Sequence, residues 1–272
     1  MIGRILRLGL AEVTRVTRQR LFFGILLAEI LVCVGIALFQ RAAATEDPDA
    51  PTTAFRCFLE ILRHSSLFLA LGTFLLASLA VAQEISARTI QNLILCPVRR
   101  FEIVLGKILA HGAIAIVLLG VVASVALAIS GFLYDFRAVE TDGILLAGRA
   151  DMAKDAVIGL LLTLPALAAW TLFGLALSTV FRQLAPALAA AGFAYFGLVG
   201  IGFAFGDVPL SNLFFSHYTG RFLQLASDMT QGFSDAYWDP DEILRGVVVP
   251  VVTGGVFAIL SLVTFQRAEL RG

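Results

Sequence analysis

Six apolar runs, each long enough to cross a lipid bilayer, dominate this sequence. A membrane-spanning helix needs about 20 mostly apolar residues. The runs occupy residues 21–39, 65–82, 108–132, 156–181, 185–205 and 243–265. Only 15% of the 272 residues are charged, against about 25% in soluble domains. The sequence therefore predicts an all-α membrane protein with six transmembrane helices in a single domain over residues 1–272, and excludes an ordinary soluble enzyme, a disordered chain and a nucleic-acid-binding protein.

The distribution of charge predicts how the chain is oriented. If the N-terminus is inside, the inner segments carry twelve Lys and Arg residues and four acidic residues. The outer segments then carry eight Lys and Arg residues and fifteen acidic residues. Because Lys and Arg concentrate in cytoplasmic loops, this asymmetry predicts that both termini are cytoplasmic.

Residues 1–20 precede the first apolar run and have a pattern of their own. Apolar residues recur at helical spacing, and Arg4, Arg7, Arg15 and Arg18 take the other face. This pattern is typical of an amphipathic helix that lies in the headgroup region of the inner leaflet. The alternative is that the first transmembrane helix begins early.

The spans are almost free of ionisable side chains, which mark coupling sites in many transporters. Glu29 alone lies deep in a span. It either lines a polar substrate path or bonds to a neighbouring helix. The chain has neither an HExxH motif nor a GxxxxGK phosphate loop, and its three cysteines are scattered, so we predict no catalytic site and no metal site.

The longest inner loop, residues 83–107, predicts a short cytoplasmic helix between spans two and three. Glu84 and Thr89 are residue types that favour the start of a helix. Ile90, Leu93 and Ile94 then share one helical face. Pro97 then ends the helix. An apolar face outside the bilayer core needs either the lipid surface or a protein partner.

This loop resembles that of the ABC-2 type permeases, the membrane subunits of ATP-binding-cassette transporters. The residues that carry the resemblance are Glu84, Thr89, Leu93, Pro97, Val98, Arg100, Gly106 and Lys107, in that order. Arg88 departs from the pattern, because the family usually has Gly there. The six-span frame is also similar, particularly to small permeases of the nitrous-oxide-reductase-maturation and efflux kind.

The resemblance implies that the loop helix is a coupling helix that docks on an ATPase subunit. The docking residues would be Glu84, Arg88, Thr89, Ile90, Leu93, Ile94, Pro97, Arg99 and Arg100. The apolar members would fill a groove of the ATPase and the charged members would form its rim.

The resemblance further implies an exporter in the cytoplasmic membrane of a prokaryote. Two ATPase copies would bind ATP and Mg²⁺, and a second permease subunit would complete a homodimer or heterodimer. This chain would contact lipid, hold no cofactor and not itself be an enzyme. A stand-alone secondary transporter and a non-transport membrane scaffold are the alternatives.

Two outer segments are apolar enough to touch the membrane. Residues 53–63 form an amphipathic stretch in the first outer loop, and residues 206–242 form a long loop before the last span. For the long loop we predict short helices that cap the outer mouth of the bundle or partly re-enter it.

Overall fold

The computed structural model describes residues 2–46, 53–87, 99–141, 144–181, 183–204, 209–230 and 237–267, and these are mostly helical. In chain order the α-helices are α1 (Ile2–Thr17), α2 (Arg20–Glu46), α3 (Ala54–Leu79), α4 (Ala82–Ser86), α5 (Arg100–Leu133), α6 (Arg149–Val180), α7 (Leu184–Ala204), α8 (Tyr218–Thr230) and α9 (Pro240–Arg267). Two 3₁₀ turns, Pro209–Leu213 and Phe215–His217, precede α8.

Six of these helices are long and apolar enough to cross a membrane. They coincide with the six predicted runs to within a few residues at most of their ends, which confirms an all-α membrane protein. The second run differs in its boundaries. Its helix, α3, begins at Ala54, where the Thr53 side chain accepts a hydrogen bond from the backbone N–H of Arg56 at 3.3 Å. The stretch predicted at 53–63 is therefore the first part of α3, because this N-cap lets the helix start early.

The helix α3 is the central helix of the bundle. In the most apolar 18-residue stretch of the span that α3 forms, 78% of the residues are buried. In the corresponding stretches of α2 and α7 only 17% are buried. Aromatic packing attaches α3 to its neighbours: the Phe74 ring lies 5.3 Å from the ring of Trp170 in α6. The Trp170 indole also donates to Thr219 Oγ1 in α8 at 2.9 Å. The short helix α8 is thus fixed to the transmembrane core.

A two-stranded hairpin between α5 and α6 is a feature that the sequence analysis did not predict. Strands β1 (Val139–Thr141) and β2 (Ile144–Ala147) pair in antiparallel register. The segments are too short for a period-2 pattern to stand out beside the long apolar runs.

The close crossing of α3 and α6 depends on Gly174. A Cβ atom at this position would overlap the carbonyl oxygen of Phe74 and lie 3.1 Å from Ala77 Cβ. Any side chain here would therefore force the two helices apart.

We expect Gly174→Ala to destabilise the protein by about 1–3 kcal/mol, as overpacking of a tight core does. The measurement is the free energy of unfolding in detergent. Gly120→Ala in α5 is the matched control, since a Cβ there meets no atom within 4 Å. Equal stability of the two variants would contradict the close contact.

Candidate functional site

The helix α1 lies directly on the first turns of α5, where two glycines meet. A Cβ at Gly106 would stand 2.9 Å from Leu8 Cβ and 3.3 Å from the backbone nitrogen of Gly9, and a Cβ at Gly9 would stand 3.3 Å from the Gly106 carbonyl oxygen. Small residues at both positions bring the two backbones together. This approach places Lys107, the next residue of α5, against Glu12, which lies on the same buried face of α1 as Gly9.

Lys107 is the centre of a buried group of charges. Its Nζ donates to Glu12 Oε1 of α1 at 2.9 Å, to Glu84 Oε1 of α4 at 2.8 Å and to the Ala80 carbonyl at 3.1 Å. The three donors of the ammonium group thus have three acceptors. Lys107 is only 3% exposed, so each bond forms away from water.

Arg15 completes this charge cluster, which consists of Glu12, Arg15, Glu84 and Lys107. Its guanidinium donates to Glu84 Oε1 and to Glu12 Oε1, both at 2.5 Å, and to the Ala80 carbonyl at 3.1 Å. Two cations therefore balance two carboxylates. Ala80 caps the C-terminus of α3, where carbonyl groups lack helical partners and cations are favoured.

The start of the loop is also bonded to α6. Ser178 Oγ accepts hydrogen bonds from the backbone N–H groups of Val81 and Ala82, at 2.8 and 3.1 Å. These groups lie between α3 and α4, where the helical ladder is interrupted. Gln19 Nε2 adds a bond to Gln83 Oε1 at 3.1 Å. The short helix α4 is therefore held from three sides.

The structure describes three of the residues predicted to dock an ATPase. Glu84 is 4% exposed and faces the charge cluster. Arg99 is exposed just before α5, and its backbone N–H donates to Glu102 Oε2 at 3.0 Å. Arg100 Nη1 donates to the Gln266 carbonyl of α9 at 2.9 Å. The other six, Arg88, Thr89, Ile90, Leu93, Ile94 and Pro97, lie outside the described residues.

Glu29 lies far along α2 from this cluster and is 2% exposed. Its Oε2 atom has no hydrogen-bond partner among the residues that the structure describes. One turn further on, Cys33 Sγ is 3.3 Å from Ser65 Oγ of α3. Burial is compatible with both predicted roles of Glu29, in a polar substrate path and in a bond to a neighbouring helix.

Glu12 and Arg15 are not among the site residues predicted from the sequence. Lys107 was predicted only as part of the family pattern, with no ion-pair partner assigned to it. The sequence does contain part of the evidence for a pair between Glu12 and Arg15. Arg15 follows Glu12 by three residues, a spacing that pairs charges on one helix. Nothing in the sequence indicates that the pair meets Lys107 and Glu84, which are 95 and 72 positions from Glu12 along the chain.

We expect Lys107→Met to destabilise the protein by about 3 kcal/mol, because it leaves buried carboxylates short of a cation. The free energy of unfolding in detergent measures the effect. Lys154→Met is the matched control: Lys154 is exposed, and surface changes usually stay within about 0.5 kcal/mol. Unchanged stability of Lys107→Met would contradict the buried network.

We also expect acid to loosen α1. Burial alone would raise the pKa of Glu12, but Lys107 and then Arg15 outweigh it and hold the pKa below its ordinary 4.5. Ionised Glu12 therefore stabilises the fold fully above pH 4.5. This contribution is lost as the pH falls through the lower pKa that Glu12 has in the folded protein. The free energy of unfolding, followed from neutral to acid, should fall more steeply for the wild type than for Glu12→Gln. Parallel curves would refute this assignment.

The comparison with protein families agrees with the family that the sequence pattern of this loop resembles. A family model described as ABC-2 family transporter protein matches residues 10–200, which is most of the chain and includes the charge cluster. A comparison with curated proteins finds no match. With six helices long enough to cross a membrane, the protein is a multi-pass membrane protein, and it belongs to the ABC-2 family of ABC transporter membrane proteins.

Proposed function

We propose that this chain is the permease subunit of an ABC exporter in the cytoplasmic membrane. Two copies, or one copy and a related subunit, would pair and recruit two ATPase subunits that bind ATP and Mg²⁺. The observation that carries the proposal is the buried charge cluster, which attaches both ends of the loop 83–107 to the transmembrane bundle.

The geometry supports the transmission of force from this loop. The loop leaves the bundle through α4, which Glu84 ties to Lys107 and Arg15, and it returns through α5, which carries Lys107 itself. A push on the loop would therefore reach α1 and α5 through ion pairs and α6 through Ser178. Buried, mutually bonded groups resist independent movement, so the helices would shift together.

The distribution of charge supports the orientation. The end of the bundle that holds the charge cluster also carries the arginine-rich α1 and the basic loop. Lys and Arg favour the cytoplasmic side, which is where an ATPase would find its nucleotide. Both termini would then be cytoplasmic, with α1 on the inner membrane surface.

The proposed docking surface is the apolar face of the loop helix together with its basic flank. Ile90, Leu93 and Ile94 would enter a groove of the ATPase. Arg88, Arg99 and Arg100 would meet acidic groups at the rim, with Thr89 and Pro97 bounding the helix. Glu84 would act from inside the bundle, by holding the base of the helix, rather than at the rim.

A charge on the apolar face tests the proposal directly. We expect the wild type to co-purify with an ATPase from mildly solubilised native membranes and Leu93→Asp to lose it, because an ionised side chain cannot enter an apolar groove without a large desolvation cost. Asn92→Asp is the matched control, because it adds the same charge on the opposite side of the predicted helix.

The two variants separate docking from folding. Retention of the ATPase by Asn92→Asp and its loss from Leu93→Asp, at equal unfolding midpoints, would support the docking role. Retention by Leu93→Asp would overturn the docking surface. If no ATPase accompanies the wild type, a secondary transporter or a scaffold becomes the better explanation.

A further inference from the structure

A second polar site lies at the end of the bundle opposite the charge cluster. It is a cavity of about 500 Å³ between α3, α7, the 3₁₀ turn at Phe215–His217 and α8. Between Arg63, which lines it, and Leu79 at the other end of α3, the helix rises by roughly 24 Å. The cavity is therefore remote from the loop that we propose docks an ATPase.

Two arginines line one side of this cavity. Arg63 Nη2 contacts Glu60 Oε2 at 3.0 Å, while its Nε is buried without a hydrogen-bond partner among the described residues. Arg221 Nε donates to Glu242 Oε1 at 2.7 Å. Neither glutamate lines the cavity. Each of these ion pairs engages one nitrogen of a guanidinium group that has five N–H donors, so donor groups remain for a ligand.

A close helix contact brings the two arginines to the same cavity. A Cβ at Gly220 would lie 3.1 Å from Ser66 Oγ and 3.3 Å from the Arg63 carbonyl oxygen of α3. Glycine therefore lets α8 approach α3 at this point, and Arg221 is the next residue. His217 and Gln224 add further polar groups one turn away on either side.

Apolar residues also line the cavity. They are Leu67 of α3 and Leu198, Val199 and Gly202 of α7. These apolar residues lead onto α7, a helix that is largely exposed on the surface of the bundle. One cavity thus offers two guanidinium groups together with an apolar lining.

We propose that this cavity binds an anionic amphiphile, with a phosphate-type oxyanion on Arg63 and Arg221 and an apolar tail along α3 and α7. Arginine is suited to this task because its planar fork bonds two oxyanion oxygens at once. A free oxyanion would make the same bonds to the arginines as a headgroup, but it would make no contact with the apolar residues of the cavity. The site belongs to this chain alone, so it can be tested whether or not an ATPase binds.

Binding of short-chain lipids to the purified protein in a non-ionic detergent tests the proposal. The probes are dihexanoyl phosphatidylglycerol, its zwitterionic phosphatidylcholine counterpart and inorganic phosphate, each followed by calorimetry. We expect the anionic lipid to bind at least about tenfold more tightly than the zwitterionic one. Arg63→Gln and Arg221→Gln should each weaken it by about tenfold, the effect of losing one bond between charged groups.

Two further variants make the result decisive. Arg149→Gln, an exposed arginine that does not line the cavity, should bind the lipid like the wild type. Gly202→Leu should block binding by filling the cavity: a Cβ at Gly202 meets no atom within 4 Å, and Gly202 belongs to neither arginine's ion pair. It therefore remains informative if an arginine variant fails to fold.

The outcomes distinguish the source of the anion. Tighter binding of phosphatidylglycerol than of inorganic phosphate, by about tenfold or more, supports the amphiphile. Equal affinity for the two, still lost in both arginine variants, overturns the amphiphile and leaves a site for a free oxyanion. Equal binding of the two lipids, or lipid binding that survives Gly202→Leu, overturns the site.

Discussion

The arrangement of the end of the bundle that holds the charge cluster depends on one ammonium group that is shielded from water. Lys107 is charged and 3% exposed, so it needs close acceptors, and the fold supplies them from α1, from α4 and from the end of α3. Taking such a cation out of water costs several kcal/mol, and only well-placed hydrogen bonds and ion pairs offset this desolvation cost. That demand fixes the relative positions of the elements at the base of the loop, and Arg15 makes the balance of charge complete.

The two ends of the bundle use charge in opposite ways. At one end the charges are buried and bond to one another, which makes a rigid attachment suited to transmitting movement. At the other end Arg63 and Arg221 pair with Glu60 and Glu242 and line an open cavity. Between them α3 runs through an apolar and aromatic core around Phe74 and Trp170. Movement of the loop and occupancy of the cavity would thus act on the same central helix.

Much of the fold could be predicted because lipid allows few solutions: a spanning segment must satisfy its own backbone, so a long apolar run is a helix. The ends of the helices were less predictable. The cap at Thr53 starts α3 well before its apolar run, and the break after Leu79 falls inside the same run, where Ser178 satisfies the backbone. Glu84 and Lys107 were recognised as parts of a family pattern, but their pairing with each other and with Glu12 was not.

The sequence by itself determined the number of spans and the family, because these follow from local composition and from a short linear pattern, and the distribution of Lys and Arg predicts how the spans are oriented. Only the tertiary structure decided which charges meet. Glu12, Glu84 and Lys107 come together because Gly9 and Gly106 let α1 rest on α5. Arg63 and Arg221 line one cavity because Gly220 lets α8 approach α3 closely. Contacts of this kind depend on helix crossings between distant segments, and a helical period describes one segment at a time.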